Sequence, residues 1–306
     1  MPNELITASS RELATELTAY DEKMLSVFEY LGLPTNNILV KVDERRRVFK
    51  NIEDVLEPLS SETLETSTYI SKFLSAVSAG LFDAALNYLW DETVSQLRFR
   101  VSQYDIQYFF DLAVTSDKRT KLSTEDDLVK IDDSELIQGA KEIGLISDIG
   151  YRLLDNIKFM RNWASAAHPN QVELTGLQLI DWLETCIKEV ISLPLSNLTI
   201  QIGKLLRNIK ANTLDEAEAE TISNFFCELT SEKANSLCNG FFGIYCRIDT
   251  TSDTKRNIKL LLPKLWYLVD EDVKWNCGIK YSKFQINNDQ TEAKLAREFL
   301  QIVNAE

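Results

Sequence analysis

The stretch RNWASAAHPN, residues 161–170, contains His168, the only histidine of the chain. An imidazole with a pKa near ~6.5 can accept or release a proton at neutral pH. Arg161 keeps its charge and can bind two phosphate oxygens at once. Asn162, beside it, offers a neutral donor and a neutral acceptor. The three residues raise the question of whether His168 takes part in chemistry or only ends a helix.

The helix in front of His168 must bring these side chains together. In an unbroken helix, Arg161 and His168 would lie about 20° apart around the axis and roughly 10 Å apart along it. Pro169 disfavours the helical conformation of the residue before it. We therefore expect the helix to end at His168 and the imidazole to turn back toward the last helical turn.

An apolar stripe with three- and four-residue spacing predicts which face of this helix is buried. Its members are Ile146, Ile149, Leu153, Ile157, Met160, Ala164 and Ala167. Arg161 is adjacent to Met160, so its guanidinium is expected at the rim of the core.

The same residues are also typical of a helix end without a chemical role. A cationic imidazole at a helix C-terminus interacts favourably with the helix dipole, and an arginine stem covers apolar surface. The residues alone leave this alternative open.

The rest of the chain predicts an all-α fold. Apolar residues recur at helical spacing along the sequence, and the sustained alternation typical of a strand is hard to find. We expect an N-terminal helical segment over residues 1–58, a helical bundle over 59–195 and a C-terminal helical domain over 196–306. Thr175 and Gln178 have the spacing of a capping box at the start of a helix.

One early helix has a basic start, in the sequence DERRRVFKNIEDVLEPL. Its cations are Arg45, Arg46, Arg47 and Lys50. We expect it to follow the first helix after a loop.

Cysteine and histidine usage argues against a disulfide framework or a zinc site. The cysteines are Cys186, Cys227, Cys238, Cys246 and Cys277. They are odd in number and form no Cys-x-x-Cys pair. We expect buried free thiols, and neither a metal ion nor another cofactor.

Charge and hydropathy limit the partners. The net charge is −14, and its field repels polyanions, so nucleic-acid binding requires a local basic patch. The N-terminus has no basic region followed by an apolar core, and Lys264 interrupts the longest apolar run, LLLPKLWYLV. We expect a cytoplasmic protein without a membrane partner.

The segment RNWASAAH resembles the arginine-x4–6-histidine motif of the HEPN superfamily, a group of all-α bundles found in RNA-cleaving toxins and antiviral defence proteins. The arginine of that motif is often followed by asparagine, as Arg161 is by Asn162. The resemblance covers roughly residues 60–192. It implies an HEPN-like bundle with Arg161 and His168 as the catalytic pair and Asn162 as a supporting polar residue.

This resemblance implies a metal-independent endoribonuclease, a defence or toxin-type effector in which the RNA 2′-hydroxyl attacks the phosphate. HEPN nucleases pair two domains, which implies a homodimer here.

Cations that precede the motif are candidates for RNA contacts: Arg98, Arg100, Lys118, Arg119 and Lys121. The C-terminal helices are expected to bind a regulatory protein. The alternative is a non-catalytic helical scaffold that uses the bundle for dimerisation.

Overall fold

The computed structural model describes residues 10–104, 106–164, 173–192 and 197–304. These ranges contain helices and connecting turns but no strand, which confirms the all-α prediction at the level of fold class. The helices are α1 (Ser10–Tyr30), α2 (Val42–Leu56), α3 (Ser61–Thr66), α4 (Thr68–Ser78), α5 (Phe82–Ser102), α6 (Ile106–Ala113), α7 (Ser116–Arg119), α8 (Asp133–Glu142), α9 (Asp148–Ala164), α10 (Gly176–Cys186), α11 (Asn197–Ala211), α12 (Glu216–Phe225), α13 (Ser231–Cys246), α14 (Ser252–Trp266), α15 (Glu271–Ile286) and α16 (Gln290–Ile302). Within the described ranges, no helix is long and apolar enough to cross a membrane.

The chain forms two compact units, each assembled from two separate stretches of sequence. The first unit comprises Met1–Leu97 and Asp148–Leu193, and the second comprises Arg98–Ser147 and Pro194–Glu306. These units divide the chain differently from the three predicted segments, 1–58, 59–195 and 196–306. The difference arises because helices that are distant in the sequence pack together. Within the first unit α2 contacts α10, and within the second unit α6 contacts α13.

The first unit has a buried arginine at its centre. Arg45 of α2 is inaccessible to solvent and forms two 2.8 Å hydrogen bonds to the carboxylate of Asp21 in α1. Its remaining donors reach the carbonyl oxygens of Val40 at 2.8 Å and Ser78 at 3.2 Å. Gly80, with φ +74°, approaches so closely that a Cβ there would lie 2.5 Å from the Arg45 guanidinium. One side chain therefore ties together α1, α2 and the turn after α4.

The packing of α2 against α10 depends on Gly176. The Gly176 N–H donates to the Glu44 carboxylate at 2.8 Å. A Cβ at Gly176 would lie 2.1 Å from the Glu44 carbonyl oxygen, a separation that atoms cannot adopt. Thr175 and Gln178 cap α10 reciprocally, as their spacing predicts.

Replacing Gly176 by alanine is expected to lower the free energy of unfolding by about 1–3 kcal/mol, because the backbones of α2 and α10 must separate. Urea denaturation followed by circular dichroism measures the change. Gly203→Ala is the control, since a Cβ in that helix would lie an ordinary 3.6 Å from Tyr104. Equal destabilisation by both substitutions would contradict the close approach.

The second unit is built around α13, which contacts α6, α14, α15 and α16. Phe242 and Tyr245 of α13 pack edge-on against Phe299, with ring centroids 5.1 and 5.6 Å apart. Asn257 is fully buried and makes three hydrogen bonds to the backbone around the end of α11. Its side-chain amide therefore satisfies backbone groups near the end of α11 that would otherwise need hydrogen bonds to water.

The cysteines follow the prediction of buried free thiols with one exception. Cys186, Cys238, Cys246 and Cys277 are buried and unbridged, but Cys227 is exposed. The prediction was therefore wrong for Cys227, which lies in a single 3₁₀ turn after α12 rather than on a core-facing helix. Burial raises the pKa of Cys186 to about 12.

Candidate functional site

The helix that carries the motif, α9, buries a different face from the predicted one. Its buried residues are Gly150, Leu154 and Ile157, whereas Ile149 and Leu153 are 72% and 41% exposed. The predicted stripe was therefore wrong at these two positions. The helix has apolar residues on two faces, so periodicity could not decide which one packs against the neighbouring α10.

The observed face places Arg161 in line with the buried residues of α9. Arg161 follows Ile157 by four residues and Leu154 by seven, so it continues the buried row of α9. Its side chain is half-buried, in agreement with the expected position at the rim of the core.

The guanidinium of Arg161 is oriented by two neutral amides. Its Nε donates to Asn87 Oδ1 at 2.8 Å, and a terminal nitrogen donates to Asn162 Oδ1 at 3.1 Å. Both acceptors are uncharged amide oxygens. Asn162, on the last turn of α9, is exposed.

Asn87 is a site residue that the sequence did not reveal. It lies on α5, 74 residues before Arg161, and is half-buried. Its Nδ2 donates to the Asp83 carbonyl at 2.9 Å, so the amide is held with its oxygen toward Arg161. Asparagine in the middle of a core helix is unfavourable for helix formation, and this was the only signal of a special role.

His168 and Pro169 lie outside the described residues, in the gap at 165–172. The expected helix end at His168 and the return of the imidazole toward Arg161 stay predictions. The described part of the site therefore consists of Arg161, Asn162 and Asn87, all in the first unit.

Two of the candidate RNA-binding cations have carboxylate partners within the second unit. Lys118 pairs with Glu135, and Arg119 donates from Nε to Asp111 at 2.6 Å. Other donors of Arg119 reach the Leu122 carbonyl and the Gln107 side chain. These contacts give both cations a role in joining neighbouring segments.

The other three candidate cations differ in exposure. Arg98 and Arg100, near the end of α5, are half-buried, and burial lowers the pKa of Arg100. The buried Nε of Arg98 finds no hydrogen-bond partner in the described residues. Lys121 is exposed. All five cations belong to the second unit, whereas Arg161 and Asn162 belong to the first.

The outer face of α9 is apolar and aromatic. Ile149 and Leu153 lie at its beginning, and Phe159 and Trp163, which are 53% and 39% exposed, lie near its end. The Phe159 and Trp163 rings contact each other with centroids 5.7 Å apart. Arg152 is also exposed on α9, within the same turns. A helix with one buried apolar face and a second exposed one is typical of an interaction surface.

Comparison with known proteins does not assign the chain to a family. No family model, curated protein or solved structure matches it. The likeness to HEPN proteins therefore depends on the motif at residues 161–168 and the helical context around it.

Proposed function

We propose that the chain is a metal-independent endoribonuclease of the HEPN type. The observation that supports this best is the environment of Arg161, a half-buried cation oriented by the amide oxygens of Asn87 and Asn162. A cation fixed in this way can stabilise the charge that develops on a phosphate oxygen, because no reorganisation is needed during the reaction.

In the proposed reaction, the RNA 2′-hydroxyl attacks the adjacent phosphorus while His168 accepts its proton. The bond to the 5′-oxygen breaks, and that oxygen takes a proton from the partner's His168. Both proton transfers occur in one phosphorane-like transition state, whose non-bridging oxygens Arg161 binds. The products are a 2′,3′-cyclic phosphate and a 5′-hydroxyl end. Two imidazoles are needed because one ring cannot act as acid and base in the same step.

A homodimer would provide the second imidazole. The exposed outer face of α9 supports this arrangement, because Ile149, Leu153, Phe159 and Trp163 offer apolar surface on the helix that carries Arg161. Association through this face would bring two copies of the motif helix together. In this proposal the dimeric nuclease acts as a cytoplasmic defence or toxin-type effector.

The purified chain is expected to cleave RNA in the presence of EDTA, and His168→Ala is expected to abolish that cleavage. Sequencing of the RNA ends, with and without a phosphatase that opens cyclic phosphates, identifies the product. Arg256→Ala is the matched control, because it removes an exposed cation on α14, outside the site. Cleavage that continues in His168→Ala, or that stops in EDTA, would refute the mechanism.

A non-catalytic helical scaffold is the second candidate function. The net charge of −14 and the internal ion pairs of Lys118 and Arg119 favour it, because both weaken attraction to RNA. It predicts that His168→Ala leaves cellular RNA ends and cell growth unchanged on expression, whereas loss of residues 196–306 abolishes partner binding.

A further inference from the structure

The second unit has an apolar groove between its last two helices, α15 and α16. The groove has a volume of about 670 Å³. It is lined mainly by Trp275, Gly278, Ile279, Ile286 and Leu300, with Lys283 and Arg297 beside them. No residue of the candidate nuclease site belongs to it.

The groove side of α15 is apolar but exposed. Trp275, Ile279 and Ile286 are 73%, 38% and 82% exposed, and they follow one another at four and seven residues along one helix face. Cys277 is the one buried residue of α15. Such a row on a helix normally faces a core, whereas on α15 it is exposed to solvent.

Gly278 gives the groove its depth. A Cβ at this position would meet no atom within 4 Å, so the fold itself has room for a larger residue. Glycine in the middle of a helix is less stable than alanine, because it loses more conformational freedom on folding. Nothing within the described unit requires the glycine, whereas a partner lying close against α15 would require it.

The charged residues of the groove indicate the nature of that partner. Lys283 and Arg297 are both exposed, and Lys283 forms no ion pair with any described residue. A partner of different sequence with acidic side chains complements these two cations.

We infer that the groove between α15 and α16 binds an amphipathic helix of another protein. The helix presents apolar side chains at positions i, i+3 or i+4, and i+7 to Trp275, Ile279 and Ile286. Its acidic side chains face Lys283 and Arg297. This inference goes beyond the proposed nuclease and is independent of it, since it locates a protein-binding site in the second unit.

The test uses the full-length chain and a display library of α-helical peptides with randomised surfaces. Selected peptides are expected to share the apolar spacing and to carry Asp or Glu beside it. Fluorescence anisotropy of a labelled peptide then measures its Kd for each variant. Gly278→Leu and Lys283→Glu are expected to weaken binding at least tenfold, and a peptide with Lys in place of its acidic residues should recover binding to Lys283→Glu.

Gly278→Ala separates a binding role from a structural one. It is expected to raise the Tm by about 2 °C, because alanine favours the helix, while it weakens peptide binding. Tyr267→Ala is the control, since Tyr267 is 87% exposed and lies outside the groove. It should leave both readouts unchanged.

Three outcomes would overturn the inference. Selected peptides could bind equally well to wild type, Gly278→Leu and Lys283→Glu. Analytical ultracentrifugation could reveal a dimer that Ile286→Glu dissociates, which would identify a second copy as the occupant. A labelled single-stranded RNA could bind wild type and lose that binding in Trp275→Ala, which would identify the groove as a nucleic-acid site.

Discussion

Arg161→Lys is expected to lower the rate of RNA cleavage by about 10² to 10³ fold, the effect of removing one well-placed donor at a transition state. Lysine keeps the positive charge but has a single ammonium group in place of the planar fork. It therefore cannot contact Asn87, Asn162 and a phosphate in the geometry that arginine allows. Single-turnover cleavage of a labelled RNA measures the loss.

Asn87→Ala is part of the same experiment, because Asn87 is a positioning residue that acts through Arg161. We expect a lower kcat with little change in Tm, since the amide is only half-buried. Lys121→Ala is the control for a general effect of charge on RNA binding, and it should change KM rather than kcat. A wild-type kcat in Arg161→Lys would remove Arg161 from the mechanism.

Asp21→Asn is expected to lower the stability of the first unit by about 3 kcal/mol, the lower end of the range for a broken buried ion pair. The substitution leaves the Arg45 guanidinium buried without its carboxylate, and only uncharged oxygens, those of the backbone carbonyls and of the new side-chain amide, then face it. Asp21 keeps 18% of its side-chain surface exposed, which places the effect at the lower end.

Hydrogen exchange of peptides from α1 and α2 measures this loss locally, without a contribution from the second unit. Asp43→Asn is the matched control, because Asp43 pairs with Arg46 at 3.1 Å and its side chain is 82% exposed. Exposed pairs contribute about 0–1 kcal/mol. Equal acceleration of exchange in both variants would contradict the role assigned to the Asp21–Arg45 pair.

Arg45 illustrates what the sequence could and could not predict. The basic start of its helix was visible, but Arg45, Arg46 and Arg47 are consecutive and equally charged in the sequence. Only the tertiary structure places Arg45 in the interior and leaves Arg46 and Arg47 in surface pairs. The acceptor, Asp21, comes from a different helix, and no local pattern connects the two.

The helix α9, which carries the motif, was also predictable only in part. Helical spacing predicted α9 and the rim position of Arg161, because both depend on residues that are close in the sequence. The buried face of α9 and the contact of Arg161 with Asn87 depend on neighbouring helices that are distant in the sequence. No local residue spacing predicts either feature. The capping box at Thr175 and Gln178 was predictable because its hydrogen bonds span only three residues.

The division of the chain into two interleaved units also has a consequence for synthesis. The contact between α2 and α10 joins residues that leave the ribosome more than a hundred residues apart, with the stretch Arg98–Ser147 of the second unit made between them. The first unit therefore cannot complete its core while only its N-terminal helices have been made. Assembly of the first unit waits until α10 has been made, and the apolar faces of its N-terminal helices lack their partner during this interval.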